Sequence, residues 1–348
     1  MTKINKIVSD RKLPSLKDKS EMIRILLEEE YGHLPPLPDE LCFELLEKPI
    51  VKNFCAGKAT FHKIFAHCKL GNKTFSFPFY RILPTKEGKH PFFVHINFRS
   101  DIPDRYQPTE ELIDNGFAVL SFNYNDVTKD NGDFCDGLAG VLYEDGKRKA
   151  NDAGKIAMWA WAAHRIMDYA ETLSDLLDLG CATVCGHSRL GKTALLAGAT
   201  DSRFAFVHSN NSGCGGAAIT RGKTGEQPSD ICRTFPFWFC ENYLKYQNDA
   251  STMPFDQHWL IASIAPRYVN VASAFEDKWA DPDSEFLSCI AASEAFENGF
   301  VCEDRLPVIG DTFLDGDIGY QLRDRCHYFS REDWLKLMLF IEKHKKVD

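Results

Sequence analysis

The sequence of 348 residues lacks several features that mark common classes of protein. It contains no apolar run of the roughly 20 residues that a membrane-spanning helix needs. It has no excess of basic residues, since 50 aspartates and glutamates outnumber 41 lysines and arginines and the formal net charge is −9. Nucleic acids and anionic membranes both bind a basic face, so neither is an expected partner.

Metal-binding patterns are missing as well. The 12 cysteines include no C-x-x-C pair, and the 11 histidines form neither an H-E-x-x-H nor an H-x-x-E-H pattern. We therefore expect no metal site and no other cofactor.

An export signal is not visible either. Residues 1–30 alternate charged and apolar side chains and lack the continuous apolar core of a signal peptide. Without such a signal, the cysteines of so long a chain are expected to be reduced, buried thiols, and we expect a cytoplasmic protein. A sequence from which a leader had been removed would show the same pattern, so that alternative stays open.

What the sequence does contain is ample material for a core, because 44% of its residues are hydrophobic. Its length suits one large domain or two small ones. Residues 1–50 are polar and charged, with a helical pattern at 20–31 that closely spaced prolines end. We predict an N-terminal extension over residues 1–50, packed on a catalytic domain of residues 51–348.

The most informative stretch is CATVCGHSRLGKTA, residues 181–194. Small and apolar residues at its start predict a buried strand, and the sequence from Leu190 onward predicts a helix. Ser188 lies in the sharp turn between them, as in a nucleophile elbow, which exposes a hydroxyl beside the positive end of a helix. The match to G-x-S-x-G is incomplete, because Leu190 replaces the second glycine and Gly191 follows one residue later. A serine in an ordinary strand-to-helix turn is the alternative.

Other segments alternate between strand and helix patterns. Strands are predicted at 59–70 and 73–83, joined by a hairpin turn at Gly71-Asn72, and at 91–97, 116–124, 204–209 and 268–274; helices are predicted at 108–115, 153–173 and 332–345. We expect Asn151 and Asp152 to cap the helix at 153–173, and residues 126–150 to form a loop. This order predicts an α/β protein with the α/β-hydrolase fold, a three-layer αβα sandwich with a mostly parallel central sheet.

A serine nucleophile needs a general base, and the base needs an orienting carboxylate. In α/β-hydrolases the acid and then the histidine follow the serine along the chain. His327 is the preferred base, since it occupies a loop just before the final predicted helix. His258 begins an apolar helix-like run that suits packing or capping, and His344 lies in the polar tail, where solvation is expected.

The acid is expected shortly after the predicted strand at 268–274. Three carboxylates are candidates there: Glu276, Asp277 and Asp281. Asp277 ranks first because it follows the strand end closely and precedes Trp279. A solvated surface position is the alternative reading of Glu276 and Asp281, and the choice among the three stays open.

Two cations accompany the serine. Arg189 follows it directly, so its backbone N–H would donate to an oxyanion and its guanidinium is close enough to assist. Lys192 lies one helical turn further on, and because helical side chains lean toward the N-terminus its ammonium can reach the mouth of the site. The pair indicates an anionic or strongly polarised acyl group, with a solvated helix face as the alternative.

The stretch G-H-S-R-L-G-K resembles the G-x-S-R-x-G-K signature of glucuronoyl esterases, carbohydrate esterase family fifteen. Further stretches are similar to the bacterial branch of that family: AMWAWAAHRIMDYAET, SNNSGCGGAAITR, FPFWFCENYLKY, MPFDQHWLIASIAPR, ASAFEDKWADP and DGDIGYQLRDRCH. Together they cover most of residues 90–345. The resemblance implies an α/β-hydrolase fold and cleavage, without a cofactor, of esters between 4-O-methyl-glucuronic acid and lignin alcohols through an acyl-enzyme.

By motif position the resemblance implies that Ser188 is the nucleophile, that His327 is the base and that Arg189 supports the oxyanion. One departure concerns the acid, which fungal members carry in a Glu-Ser-Gly context after the strand that follows the elbow. This chain has Asn-Ser-Gly at 211–213 instead. The acid is therefore expected from the later loop, which strengthens Asp277.

The resemblance also implies that Lys192 and Glu226 bind sugar hydroxyls and that Trp279 lines a uronate pocket. The leading hypothesis is thus a serine carboxylesterase acting on small-molecule or oligosaccharide uronate esters, and the missing export signal favours small imported esters. A sugar O-deacetylase with the same fold is the alternative within enzymes. A binding protein with a hydrolase fold but no turnover is the alternative outside them.

Overall fold

A computed structural model describes residues 2–46 and 48–345 of the chain. Its strands form a single mixed sheet. They are β1 (Glu40–Leu45), β2 (Ala59–Leu70), β3 (Lys73–Pro84), β4 (His90–Asn97), β5 (Ala118–Asn123), β6 (Leu177–His187), β7 (Phe206–Asn210), β8 (Tyr268–Ala274), β9 (Thr312–Phe313) and β10 (Ile318–Arg323). The strand order is β1-β2-β3-β5-β4-β6-β7-β8-β10-β9.

The centre of the sheet is parallel and its margins are antiparallel. Strands β5, β4, β6, β7, β8 and β10 run parallel, whereas β1, β2 and β3 form an antiparallel margin and β9 an antiparallel edge. The predicted hairpin is confirmed, since Leu70 pairs with Lys73 across Gly71 and Asn72. Gly71 has a φ of 62°, a left-handed conformation that glycine adopts without strain.

Helices cover both faces of the sheet. They are α1 (Lys3–Asp10), α2 (Lys19–Leu26), α3 (Thr109–Asp114), α4 (Gly137–Leu142), α5 (Lys155–Glu171), α6 (Arg189–Thr200), α7 (Pro228–Thr234), α8 (His258–Ala262), α9 (Pro282–Ala292) and α10 (Arg331–His344). The larger core lies beneath α5, α6, α8 and α9, and the smaller core lies beneath α3 and α10. The predicted three-layer α/β-hydrolase architecture is thereby confirmed. No helix in the described ranges combines the length and apolarity that a bilayer crossing would require.

Helix α5 is buried almost all round, which explains its apolar composition. Its start differs from the prediction, because Gly154 and not Asn151 or Asp152 occupies the N-cap. The side chain of Asn151 donates instead to the carboxylate of Glu28, and that of Asp152 accepts from the backbone of Lys149. Both candidate caps are thus engaged by other partners.

Several elements were not predicted. The segment 126–150 contains the short helix α4, and α9 and β10 lie in the region between the predicted strand at 268–274 and the final helix. Strand β1 lies within residues 1–50 and pairs along its whole length with β2, so part of the predicted extension enlarges the sheet. Local pattern alone does not reveal β1, since most of its side chains are exposed on an edge.

Candidate active site

Ser188 occupies the turn between β6 and α6, at the carboxyl end of the parallel strands. Its backbone has φ 58° and ψ −128°, a conformation that is strained for any residue with a Cβ. The strain is held from both sides: the Ser188 N–H donates to Asn210 O at 2.8 Å, and the Gly191 N–H donates to Ser188 O at 2.8 Å. This is the geometry of a nucleophile elbow.

Two glycines allow the elbow to close. A Cβ on Gly186 would lie 2.2 Å from the carbonyl oxygen of Leu190. A Cβ on Gly191 would lie 3.0 Å from Ser209 Oγ and 3.1 Å from Ser212 Cβ. The second close approach therefore falls at Gly191, and Leu190 is free to fill the core, which explains the departure from G-x-S-x-G.

His327 lies in the loop between β10 and α10, and its Nδ1 is 2.6 Å from Asp277 Oδ2. Asp277 is buried and also accepts from Asn211 Nδ2 at 3.0 Å. Burial acts to raise the pKa of Asp277, but the hydrogen bonds from His327 and Asn211 and the charge of His327 outweigh it and hold the pKa below its usual value. An ionised carboxylate at Nδ1 assigns the proton to that nitrogen and leaves Nε2 as the acceptor.

Of the other candidates for acid and base, Glu276 is exposed, whereas Asp281 and His258 have hydrogen-bond partners of their own. Asp281 caps α9, accepting from the Ser284 backbone N–H at 3.2 Å, and its second oxygen accepts from the Thr224 N–H at 2.7 Å. His258 is buried with Nε2 2.9 Å from Pro14 O, which agrees with packing or capping.

The expectation of a solvated His344 is wrong. Its ring packs against Tyr268 with centroids 4.8 Å apart, and its Nε2 lies 2.8 Å from Leu314 O. His344 is thus the last residue of α10 and packs beside the smaller core.

A cavity of about 400 Å³ opens at the elbow. It is lined by all the residues that the sequence singled out: Ser188, Arg189, Lys192, Glu226, Asp277, Trp279 and His327. It is lined as well by residues that were not predicted to take part: Asn211, Ser212, Gly213, Phe235, Trp238 and Ala280. Aromatic rings and polar side chains therefore line the same cavity as Ser188.

Arg189 is the first residue of α6, so its backbone N–H has no acceptor within the helix and is free to donate to a group bound beside Ser188. Its guanidinium forms an ion pair with Asp130 and lies 4.7 Å from the ring of Trp238 and 5.5 Å from that of Phe235. Asp130 also accepts from Trp238 Nε1 at 2.6 Å. The cation is therefore held in place before any substrate arrives.

Lys192 does not reach the mouth of the site as predicted. Its Nζ donates to the carbonyl oxygens of Ser212 at 2.5 Å and Cys214 at 2.6 Å, and lies 3.6 Å from Glu226 Oε2. Its ammonium is held by carbonyl groups of the loop after β7 instead. The ammonium is buried in the cavity wall, where it supports that loop and lies next to the carboxylate of Glu226.

Glu226 and Trp279 line the cavity from two different loops. The Glu226 N–H donates to Trp279 O at 2.9 Å, which ties the two loops together. Gly225 makes this approach possible, because a Cβ there would lie 2.3 Å from Lys278 O. Trp279 is 56% exposed, so its ring is accessible to a ligand.

Asn211 and the aromatic pair of Phe235 and Trp238 are the main lining residues that sequence reasoning missed. Asn211 follows β7 as Asp277 follows β8, and carboxyl ends of parallel strands meet at one edge, which was a usable signal. Phe235 and Trp238 stack with centroids 3.9 Å apart. The sequence shows that these aromatic residues are clustered, but it does not show that they lie next to Arg189.

Comparisons with known proteins agree with this geometry. A family model described as "Glucuronyl esterase, fungi" matches residues 67–298. A carbohydrate esterase from an unknown prokaryotic organism is 38% identical over 240 residues, which make up 68% of this chain and 55% of that protein. A 4-O-methyl-glucuronoyl methylesterase of Podospora anserina is 27% identical over 338 residues, covering 93% of this chain and 62% of that protein. The chain thus spans about 55–62% of the length of these relatives.

Solved structures are similar over nearly the whole chain. A glucuronoyl esterase from Solibacter usitatus superposes with a TM-score of 0.85 at 30% identity, covering 94% of this chain and 92% of that one. An esterase of carbohydrate esterase family fifteen from the marine bacterial metagenome, described as promiscuous, superposes with a TM-score of 0.84 at 30% identity, covering 94% and 91%.

Proposed function

This chain belongs to the glucuronyl esterase family, and we propose that it is a serine carboxylesterase that hydrolyses esters of glucuronic acid or its 4-O-methyl derivative. The observation that carries the proposal is the hydrogen bond of 2.6 Å between His327 Nδ1 and Asp277 Oδ2, in the same cavity as the strained Ser188. A nucleophile, a base and an orienting acid are the parts that acyl transfer needs.

The reaction would follow the serine-hydrolase course. Ser188 Oγ attacks the ester carbonyl while His327 Nε2 takes its proton, and Asp277 stabilises the imidazolium that forms. The Arg189 N–H, with the guanidinium nearby, stabilises the oxyanion. His327 then protonates the departing alcohol, and water hydrolyses the acyl-enzyme by the same route.

The acyl side of the substrate would occupy the cavity of about 400 Å³, which is far larger than an acetyl group needs. The Glu226 carboxylate can accept hydrogen bonds from ring hydroxyls, and the exposed face of Trp279 suits the apolar face of a pyranose. Because the Lys192 donors are taken up by carbonyls and Glu226, we assign Lys192 to positioning Glu226 and the loop after β7 rather than to direct contact with the substrate.

The test is hydrolysis of benzyl glucuronate beside an acetylated sugar. We expect the wild type to release benzyl alcohol and to cleave the acetate poorly. Ser188→Ala should lower kcat by about three decades or more while its circular dichroism stays native. Cleavage of the acetate with no cleavage of the glucuronate would establish the deacetylase instead, and a folded wild type inert toward both would favour the non-catalytic binding protein.

A further inference from the structure

The N-terminal segment, here residues 28–31, lies behind two walls of the catalytic cavity. Residues 27–31 form a π-helical turn that continues α2. Such turns are rare and are often kept at functional positions, because they force side chains out of the regular helical register. Both Glu30 and Tyr31 of this turn are fully buried.

The first of these two walls carries Phe235 and Trp238. The Cys240 N–H at the end of this wall donates to Glu30 O at 2.8 Å. The neighbouring ring of Phe239 packs against Tyr31, with centroids 5.5 Å apart. The N-terminal segment therefore fixes the position of the aromatic wall from behind.

The other wall is the loop after β7, of which Ser212 and Gly213 line the cavity. The Tyr31 hydroxyl donates to Gly215 O at 2.9 Å. Gly215 has a φ of 66°, and a Cβ on it would lie 2.4 Å from the Phe239 ring. Loop and aromatic wall are thus in direct contact at Gly215, and Tyr31 binds both.

The same loop is held on its other side by Lys192, through the carbonyls of Ser212 and Cys214. Ser188, Asp277 and His327 lie on other elements, after β6, β8 and β10. The single hydroxyl proton of Tyr31 is directed to Gly215 O, and the only other acceptor near the hydroxyl within the described residues is Gln257 Oε1 at 3.4 Å. Tyr31 can therefore affect the shape of the acyl cavity without touching the reacting groups.

We infer that Tyr31 is a specificity-determining positioning residue, whose hydroxyl locks the loop after β7 against the aromatic wall so that the cavity keeps the shape that a pyranose acyl group needs. Its kinetic readout rests on the proposed function. A small acyl group such as acetate fills little of the cavity and does not depend on that shape. Loss of the Tyr31 hydroxyl should accordingly raise KM for glucuronate esters by a larger factor than it lowers kcat.

Tyr243 provides a matched control. It is also fully buried and also packs on Phe239, with centroids 4.7 Å apart, but its hydroxyl has no hydrogen-bond partner within the described ranges. Tyr31→Phe and Tyr243→Phe therefore each remove one hydroxyl from a buried tyrosine that packs on Phe239. Only the first change breaks a bond to the loop.

Kinetics would be measured with benzyl glucuronate and an aryl acetate. For Tyr31→Phe we expect KM for the glucuronate to rise about tenfold, the scale of one lost buried hydrogen bond, with kcat and the aryl acetate rates within about twofold of wild type. Tyr243→Phe should match the wild type on both substrates. Equal losses on both substrates for Tyr31→Phe, or equal behaviour of the two variants, would refute the inference.

Amide hydrogen exchange supplies a readout that needs no substrate. Tyr31→Phe should speed exchange in residues 212–216, whereas Tyr243→Phe should not. If the wild type does not cleave benzyl glucuronate, the proposed function is wrong. The exchange comparison would still decide whether Tyr31 holds the loop after β7 in place. Unchanged exchange in Tyr31→Phe would overturn the lock itself.

Discussion

The carboxylate of Asp277 is ionised in a place where burial alone would favour its protonated form. Two hydrogen bonds and the neighbouring imidazole hold its pKa below the usual value. Asn211, which follows the neighbouring strand β7, donates one of these hydrogen bonds. The negative charge is thus available to stabilise an imidazolium at His327 during acyl transfer.

Asp277→Asn should lower kcat on any ester substrate by about three to four decades, because the amide no longer fixes the His327 tautomer or stabilises its charge. Glu276→Gln is the matched control, since it makes the same neutralisation one residue away on an exposed side chain. Initial rates with benzyl glucuronate and an aryl acetate would measure both. A fully active Asp277→Asn enzyme, or an equal loss in Glu276→Gln, would remove Asp277 from the mechanism.

At the scale of elements, the junction of β6 and α6 depends on how closely two backbones approach. A Cβ on Gly186 would lie 2.2 Å from the carbonyl oxygen of Leu190 in α6. This oxygen belongs to the backbone, so it cannot move aside as the end of a flexible side chain could. Gly180 belongs to the same strand, but a Cβ there would meet only the end of the Asp178 side chain at 3.2 Å. The two glycines therefore differ in what surrounds them and not in element.

Gly186→Ala should lower the free energy of unfolding by about 1–3 kcal/mol, the usual scale for overpacking, and should reduce esterase activity because the elbow must shift. Gly180→Ala should leave both quantities nearly unchanged. Urea unfolding and aryl acetate hydrolysis would be measured on both variants. If Gly186→Ala were as stable and active as Gly180→Ala, the close approach would not constrain the elbow.

At the scale of the whole molecule, several histidines are buried in the neutral form. Burial lowers the pKa of His95, His164 and His208 to about 4. It lowers that of His187 well below its usual value, with the charge of the adjacent His327 acting in the same direction. These side chains lie on β4, β6, β7 and α5, so the effect involves the central sheet and not one loop.

Stability should therefore fall as the pH falls from about 6.5 to about 4. In this window the histidines bind protons in the unfolded chain but stay neutral in the native protein. The free energy of unfolding therefore falls by up to about 1.4 kcal/mol per pH unit for each histidine. His208→Gln should flatten the dependence, because it removes one of the histidines whose pKa is lowered by burial. Urea unfolding at pH 7.5, 5.5 and 4.5 would compare this variant with the wild type, and parallel profiles for the two proteins would contradict the account.

Two buried carboxyl groups change the stability with pH in the opposite direction to the histidines. The contribution of a histidine is therefore found from the difference between a variant and the wild type. Burial raises the pKa of Glu30 to about 8 and that of Glu285 to about 7. Their native forms keep a proton that the unfolded chain has lost above pH 4.5, so the stability they contribute is lost as the pH rises toward these values. The wild-type profile is the sum of both effects.

The sequence by itself determined the features that depend on neighbours along the chain. Strand and helix periodicity, the Gly71-Asn72 turn and the strand–turn–helix around Ser188 led to the α/β-hydrolase fold, because each rests on local backbone preferences. The chain order of acid and histidine after Ser188 led to Asp277 and His327, whose catalytic roles stay predictions. The domain boundary at residue 50 and a cytoplasmic location also stay predictions.

Only the tertiary structure decided which groups are within bonding distance across the fold. It selected Asp277 over Glu276 and Asp281 as the partner of His327, and it turned Lys192 into the wall of the cavity. It also placed Tyr31 against Gly215, 184 residues away. A hydrogen bond requires two atoms within about 3 Å, and for residues so distant in sequence that condition is set by how sheet, helices and loops pack together and not by any local pattern.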